Sequence, residues 1–242
     1  MFIKEFWKNN MRVTDMNWQD IATAAEADPR CCLPIGSVEQ HAFLSICTDT
    51  ILAERVATEA AEPLNIPVFP AMPFGITPNF TAYPGTINLR VSTLLAVIRD
   101  IIDSLKNAGF SKICIVSGHG GNAPIKSLLA DLSEESPDLK VKLHEWFRSP
   151  KTFAKAMAVD PTASHGNWFE NFVWTRLAHA PSPKGSKLMV DRAKISELGS
   201  EEIRMLLVDG SYGGEWQKSD PVMEEIWKVG VTETREALEG PW

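Results

Sequence analysis

Apolar runs and amphipathic stretches alternate along this chain, punctuated by glycine and proline. Residues 14–28 follow a helical period, with Thr14 or Asp15 as the cap, Trp18, Ile21 and Ala22 as the buried face, and Pro29 as the stop. Residues 31–36 read as a short strand ending in a glycine turn. A second helix is predicted over 49–62, with Ile51, Leu52, Val56 and Ala60 on one side. Pro67, Pro70 and Pro73 make residues 66–73 extended and disfavour a central strand. Residues 74–88 form a long loop, of a length that is often functional in a compact domain. Residues 92–108 are strongly amphipathic and stop at Gly109. The apolar run from Lys112 to Val116 is a buried strand, and 139–146 alternates as another. Helical patterns follow the first of these strands to about Ser136, and recur over 167–177, 194–205 and 221–239. Strands alternating with helices, without linker or repeat, predict one α/β domain over residues 1–242. Its sheet is mainly parallel, with helices on both faces.

Composition narrows the class. The chain has 242 residues, 44% of them hydrophobic, enough for a full core. A net charge of −7 and the lack of a Lys/Arg run argue against a nucleic-acid partner. Residues 1–10 lack the pattern of a signal peptide, and no apolar run is long enough to span a membrane. The four cysteines, Cys31, Cys32, Cys47 and Cys114, show no CxxC spacing and read as reduced thiols of a cytoplasmic protein. Cys47 has no base beside it in sequence to make it a nucleophile.

The candidate chemistry lies at strand ends. His119 sits in Ser117-Gly118-His119-Gly120-Gly121-Asn122, where a strand hands over to a helix, the usual place for ligands in open α/β sheets. Glu39 and His41 follow the first strand. Two residues apart in an extended segment, they project to one side. Asp49 opens the next helix, and His165 and Glu170 lie in a third region. Taken singly, each has a plainer reading: His119 as a hydrogen-bonding residue, Asp49 as a helix cap, Glu170 as a solvated helix position. Together they offer the nitrogen and carboxylate oxygen that zinc and manganese accept. Two ions sharing a bridging carboxylate need about five or six such ligands. Glu39, His41, Asp49, His119 and Glu170 can supply them, leaving His165 for proton transfer.

These segments resemble the creatininase family, the creatinine amidohydrolases. The matching pieces run from Leu33 to His41, then Thr48-Asp49, Tyr83-Pro84-Gly85-Thr86-Ile87, Gly118 to Asn122, and His165 with Glu170. The resemblance implies a three-layer α/β/α sandwich and two divalent metal ions, zinc or manganese, with Fe2+ as a further candidate. It implies hydrolysis of a C–N bond in a cyclic or linear amide, with a metal-bridging hydroxide as the nucleophile. Glu39 and His119 would hold one ion, His41 and Glu170 the other, and Asp49 would bridge them. His165 resembles the family's proton-shuttling histidine. The implied partners are a small amide or lactam and further copies of the same chain, such as a hexamer.

The chain also departs from the family. In creatininase a glutamate two residues beyond the turn histidine serves the site, and here that position is Gly121. The segment after His41 is Ala42-Phe43-Leu44-Ser45-Ile46-Cys47. It lacks a second histidine, is one residue shorter before Asp49, and is expected to make the pocket wall more apolar, so creatinine is not the default substrate. Trp168 is either a lid over a ring substrate or a core residue, and the loop carrying Tyr83 either a pocket wall or a packed loop. Tryptophans near the chain ends, Trp7, Trp216, Trp227 and Trp242, are candidates for burial between subunits. The altered segment also admits a second function, a metal-binding family member acting in binding, assembly, or lactone or sugar chemistry.

Overall fold

A computed structural model describes residues 11–242 of the protein. The expectations for residues 1–10, including Trp7 and the leader pattern, lie outside those residues. Helix α1 (Trp18–Ala27) leads into strand β1 (Arg30–Ile35). Helices α2 (Thr48–Ala61) and α3 (Val91–Asn107) precede β2 (Lys112–Ser117). Helix α4 (Ile125–Glu135), β3 (Lys140–Glu145) and α5 (Pro150–Val159) follow. The last third holds β4 (Ser186–Lys187), α6 (Arg192–Ile195), α7 (Ser200–Leu207), β5 (Gly214–Glu215) and the long α8 (Asp220–Glu239).

Strands β1, β2 and β3 pair in that order, all parallel. The proline-rich segment lies along the free edge of β1 as an interrupted parallel strand, with bridges from Val68 to Cys32 and from Met72 to Ile35. Its prolines, which have no N–H to donate, are compatible with that edge position. Side chains alternate across the sheet. Leu33, Ile35, Ile113 and Ile115 pack with Leu94, Ile98 and Ile102 of α3 and Leu128 and Leu132 of α4. Cys32, Cys114 and Val116 face the other way, onto Leu52 and Val56 of α2 and Ile226 and Trp227 of α8. Covering both faces is why the strands read as unbroken apolar runs. The result is the expected three-layer α/β/α sandwich. All four cysteines are free, and only Cys47 is not fully buried.

Three local expectations are corrected. Helix α1 starts at Trp18, because Asn17 caps it. The Asn17 side chain accepts from the N–H groups of Gln19 and Asp20, and Asp20 accepts from Asn17 N–H at 2.8 Å. Ile21 and Ala25 face the core, whereas Trp18 is 77% exposed. Residues 167–177 do not form an α-helix. Only a 3-10 turn, Trp168–Glu170, is present. Asn167 accepts from Ser164 N–H and Phe169 N–H and donates to Thr162 O and Gly213 O, so side-chain bonds to the backbone displace the helix. The predicted 194–205 helix splits into α6 and α7. Trp216 and Trp227 are buried within the chain itself, and Trp242 packs partly against the same core.

His144 near the end of β3 donates from Nε2 to Thr234 Oγ1 of α8 at 3.0 Å, and that hydroxyl donates to Gly230 O at 2.7 Å. Burial lowers its pKa to about 4, against a weaker pull from Glu233. The folded protein therefore resists a proton that the unfolded chain accepts near its ordinary pKa of about 6.5. Stability falls as pH drops from there towards 4. Relative to His144→Gln, the native protein is expected to lose about 3 kcal/mol between pH 7 and pH 4, read by urea denaturation. A constant difference between the two proteins would contradict this.

Candidate metal centre

The segment after β1 turns at Gly36 and carries Ser37, Glu39 and His41 over the carboxyl end of the sheet. Glu39 N–H donates to Ile46 O at 3.0 Å, closing the loop that returns the chain to α2. Asp49 stands in the first turn of α2, where a carboxylate is favoured by the helix dipole. Ser37 Oγ donates to Asp49 Oδ2 at 2.7 Å. His119 follows β2, the strand paired with β1. Thus two neighbouring strand ends deliver three of the six candidate residues, and the first turn of α2 a fourth.

Asp49 sits between two imidazoles. Its Oδ1 lies 3.0 Å from His41 Nε2 and its Oδ2 lies 2.8 Å from His119 Nδ1. His119 Nδ1 is also 3.2 Å from Glu39 Oε1, and His41 Nε2 is 3.8 Å from Glu170 Oε2. Each ring is oriented from behind: His41 Nδ1 by Glu39 O at 3.0 Å and His119 Nε2 by Ile76 O at 2.8 Å. Ligand-capable atoms of Glu39, Asp49 and His119 lie within 4.8 Å of one another, as do those of His41, Asp49 and Glu170. These two groups share Asp49. Glu39, His41 and His165 form a third group under the same limit. Shortening of the preceding loop has not displaced Asp49 from either histidine.

His165 is fixed by residues that the sequence did not single out. Gln40 Oε1 accepts from Ala42 N–H at 3.1 Å, and Gln40 Nε2 donates to Gly210 O at 3.0 Å. With the amide oriented so, its Nε2 donates to His165 Nε2 at 2.9 Å. The imidazole proton is thereby assigned to Nδ1, which faces Glu39 Oε1 at 3.7 Å. Phe80 stacks on the ring with centroids 4.6 Å apart. No local pattern marks Gln40, because its partner Gly210 is remote in sequence. Ser37 and Gln40 do lie within the recognised strand-end motif.

Three carboxylates at one buried site hold positive charge there. Burial disfavours the His41 imidazolium, but Asp49 and Glu170 outweigh it and push the pKa up to about 10. His119 is likewise raised, by Glu39 and Asp49 against burial. Burial would raise Asp49, yet the two histidines hold it well below the usual carboxylate range. Glu170 is pushed up to about 7, chiefly by burial, with His41 pulling the other way. Burial and the nearby His41 lower His165, which favours a neutral ring. Protons on His41 and His119 occupy the places that a cation would take, so the donor set fits divalent metal.

The site floors a cavity of about 400 Å³. Phe80, Phe169 and Tyr212 line it, and so do Arg148 and Arg192. The 74–88 loop is thus a pocket wall through Thr77–Phe80, while Tyr83 packs beneath Phe80. Trp168 is fully buried in the core and is no lid. The altered 42–47 segment does not line this cavity. Ala42 takes a left-handed φ of 52°, and Phe43 packs edge-on to Trp216. Cys47 is likewise absent from the cavity wall.

Position 121 is closed to any side chain. A Cβ on Gly121 would lie 2.0 Å from Ile76 O and 2.4 Å from His119 Nε2. Glu170, arriving from the irregular 163–171 segment, is the carboxylate that reaches His41 instead. Its Oε2 also accepts from Gly166 N–H at 2.7 Å.

Imidazoles and carboxylates gathered at the carboxyl ends of a parallel sheet define a candidate metal centre in an α/β/α protein. The family model described as creatinine amidohydrolase matches residues 14–233, and the chain belongs to this creatininase family. It is a hydrolase family acting on C–N bonds. Solved structures agree on the fold. A tryptophan-to-phenylalanine mutant of creatininase superposes with a TM-score of 0.78 at 21% identity, covering 95% of this chain and 98% of that one. A glutamate-to-glutamine mutant of creatininase, described as Zn-Zn type, gives 0.75 at 19% identity over 96% and 98%. A structure described as creatininase Mn gives 0.71 at 21% identity over 96% and 98%. No curated protein matches the chain in sequence.

Gly121→Ala is expected to force His119 away from Ile76 and to cost about 1–3 kcal/mol, as overpacking does. Thermal unfolding of the metal-free protein reads this, and an unchanged midpoint would show that the turn has slack.

Proposed function

We propose that this protein is a metal-dependent amidohydrolase, a single domain that cleaves a C–N bond of a small cyclic or linear amide. The observation that carries the reading is Asp49, with one oxygen towards each of two histidines and a further carboxylate beside each. Glu39 and His119 would hold one divalent ion, His41 and Glu170 the other, and Asp49 would bridge. Similar structures described as zinc and manganese forms favour those metals. Bound there, such ions supply an activated water at neutral pH and polarise a carbonyl oxygen.

The chain's own groups do the rest. His165 presents Nδ1–H at the edge of the cluster, where the neutral ring would hydrogen-bond to the leaving nitrogen while that nitrogen takes its proton from the attacking water. Gln40 and Phe80 hold it in the orientation this requires. Phe80, Phe169 and Tyr212 give the cavity an apolar lining, and its volume suits a small molecule. Assembly into a homo-oligomer is part of the same reading, supported by the exposed side chains of Phe74 and Ile87. Among the described residues no helix is long and apolar enough to cross a membrane.

Elemental analysis after metal resupply is expected to find two divalent ions per chain, and fewer than one would overturn the binuclear site. His119→Ala should lose metal and amide hydrolysis together. His165→Ala should keep its metal and lose about 10²–10⁴-fold in turnover on whichever member of a panel of cyclic amides, formamides and lactones is cleaved. Loss of metal in that variant would instead make His165 a ligand, as its grouping with Glu39 and His41 allows. A panel in which only lactones react would favour ester over amide chemistry. Because the neighbouring carboxylates raise the pKa of both His41 and His119, protons compete with metal for these rings. Affinity is therefore expected to rise with pH from 6 to 9 with proton release, measured by calorimetry in buffers of different ionisation enthalpy.

A further inference from the structure

The cavity wall differs in charge from its floor. The acids lining it are Glu39, Asp49 and Glu170, all proposed metal ligands. The basic side chains lining it, apart from histidines, are Arg148 and Arg192. Once divalent ions sit on the carboxylates, the enclosed space carries net positive charge. Arg148 stands close to the centre: a Cβ on Gly120, next to His119, would lie 3.0 Å from Arg148 Nη2. Its Nη1 donates to Glu145 Oε1 at 3.0 Å, but Lys126 shares that carboxylate at 2.7 Å, and the other N–H groups of the guanidinium have no hydrogen-bond acceptor among the described residues. Arg192 lies over the Tyr212 ring at 5.4 Å, with no carboxylate partner among the described residues. Ser164 Oγ, also in the wall, is buried with no hydrogen-bond partner among the described residues.

We propose that the substrate is an amide carrying an oxyanion, a carboxylate or a phosphate, which Arg148 and Arg192 bind at the cavity wall while its amide group lies over the carboxylate cluster. This rests on the amidohydrolase reading for the second half only. A guanidinium offers paired N–H donors matched to either oxyanion. Its closeness to Gly120 lets one small molecule span both regions. A neutral or cationic ring gains nothing from the two guanidinium groups.

The test uses zinc-loaded protein and matched probes with and without the oxyanion: 5-oxoproline against 2-pyrrolidinone, N-formylglycine against N-formylglycinamide, and N-formylaminoethyl phosphate against N-formylethanolamine. Affinity is read by calorimetry and turnover by amine release. The charged member of at least one pair is expected to bind about tenfold or more tightly, with an advantage that shrinks in salt. Arg148→Gln and Arg192→Gln should each weaken it about tenfold and leave the neutral member and the metal content unchanged. Both residues are exposed, so folding is not at stake. The phosphate pair against the carboxylate pairs distinguishes the two oxyanions. Equal affinity within every pair, no binding of any charged member, or charged binding indifferent to both substitutions would overturn the proposal. Arginine-dependent binding without turnover would uphold the anion subsite and remove the amidohydrolase reading. Turnover of neutral probes alone would do the reverse.

Discussion

One carboxylate organises this molecule. Asp49 must present its two oxygens to histidines from different strand ends, and the fold supplies what that requires. β1 and β2 are adjacent and parallel, so Glu39 and His41 from one and His119 from the other emerge at the same edge. The 36–48 loop closes on itself through Glu39 N–H and Ile46 O, which returns the chain to the start of α2. Ser37 then holds Asp49 Oδ2. Packing α2 through Leu52 and Val56 onto Cys32, Cys114 and Val116 fixes how far the helix start stands from the sheet. The apolar core therefore sets the distance between the ligands.

Such a site costs stability. Three carboxylates in one buried place repel one another, and each loses hydration that only a partner of opposite charge restores. In the protein alone, imidazolium groups at positions 41 and 119 provide that partner. The raised pKa of Glu170 shows that the compensation is incomplete. Its environment still favours protonation, and a divalent ion removes the conflict. The strong strand-end packing and the rigid supports behind each ring carry a cluster that would otherwise open.

Much of this was legible from the chain. The buried strand before His119, the glycines after it, and the two-residue spacing of Glu39 and His41 have local physical meaning, and they pointed to the strand ends that the fold brings together around Asp49. The family resemblance placed Glu170 and His165 beside them. What failed was the region whose structure depends on remote partners. Residues 167–177 have a helical composition, but Asn167 binds Thr162 and Gly213 and holds the chain in a tight turn. Trp168, between two candidate site residues, left lid and core both open on sequence and is core, because that turn points it inward. Gln40 was missed for the same reason: its partners Gly210 and His165 are brought to it only by the fold.

The departures from the family pattern acquire different meanings in three dimensions. The altered 42–47 segment points away from the cavity towards Trp216, so it is poorly placed to change what the cavity admits. Gly121 is a direct consequence of packing: Ile76 O and the His119 ring fill the space a side chain would need. A carboxylate at that position and the His119–Ile76 bond are therefore mutually exclusive in this backbone. Accepting the bond moves the carboxylate function to Glu170, on the 163–171 segment that also carries Ser164 and His165. The floor of the cavity stays on strand ends and the first turn of α2, while its wall is made of separate loops bearing Phe80, Arg148, Arg192 and Tyr212. Loops can vary without disturbing the ligand distances that the core enforces. Specificity in this chain is therefore to be sought in the wall, where the charges are positive, and not in the segment whose sequence differs most visibly.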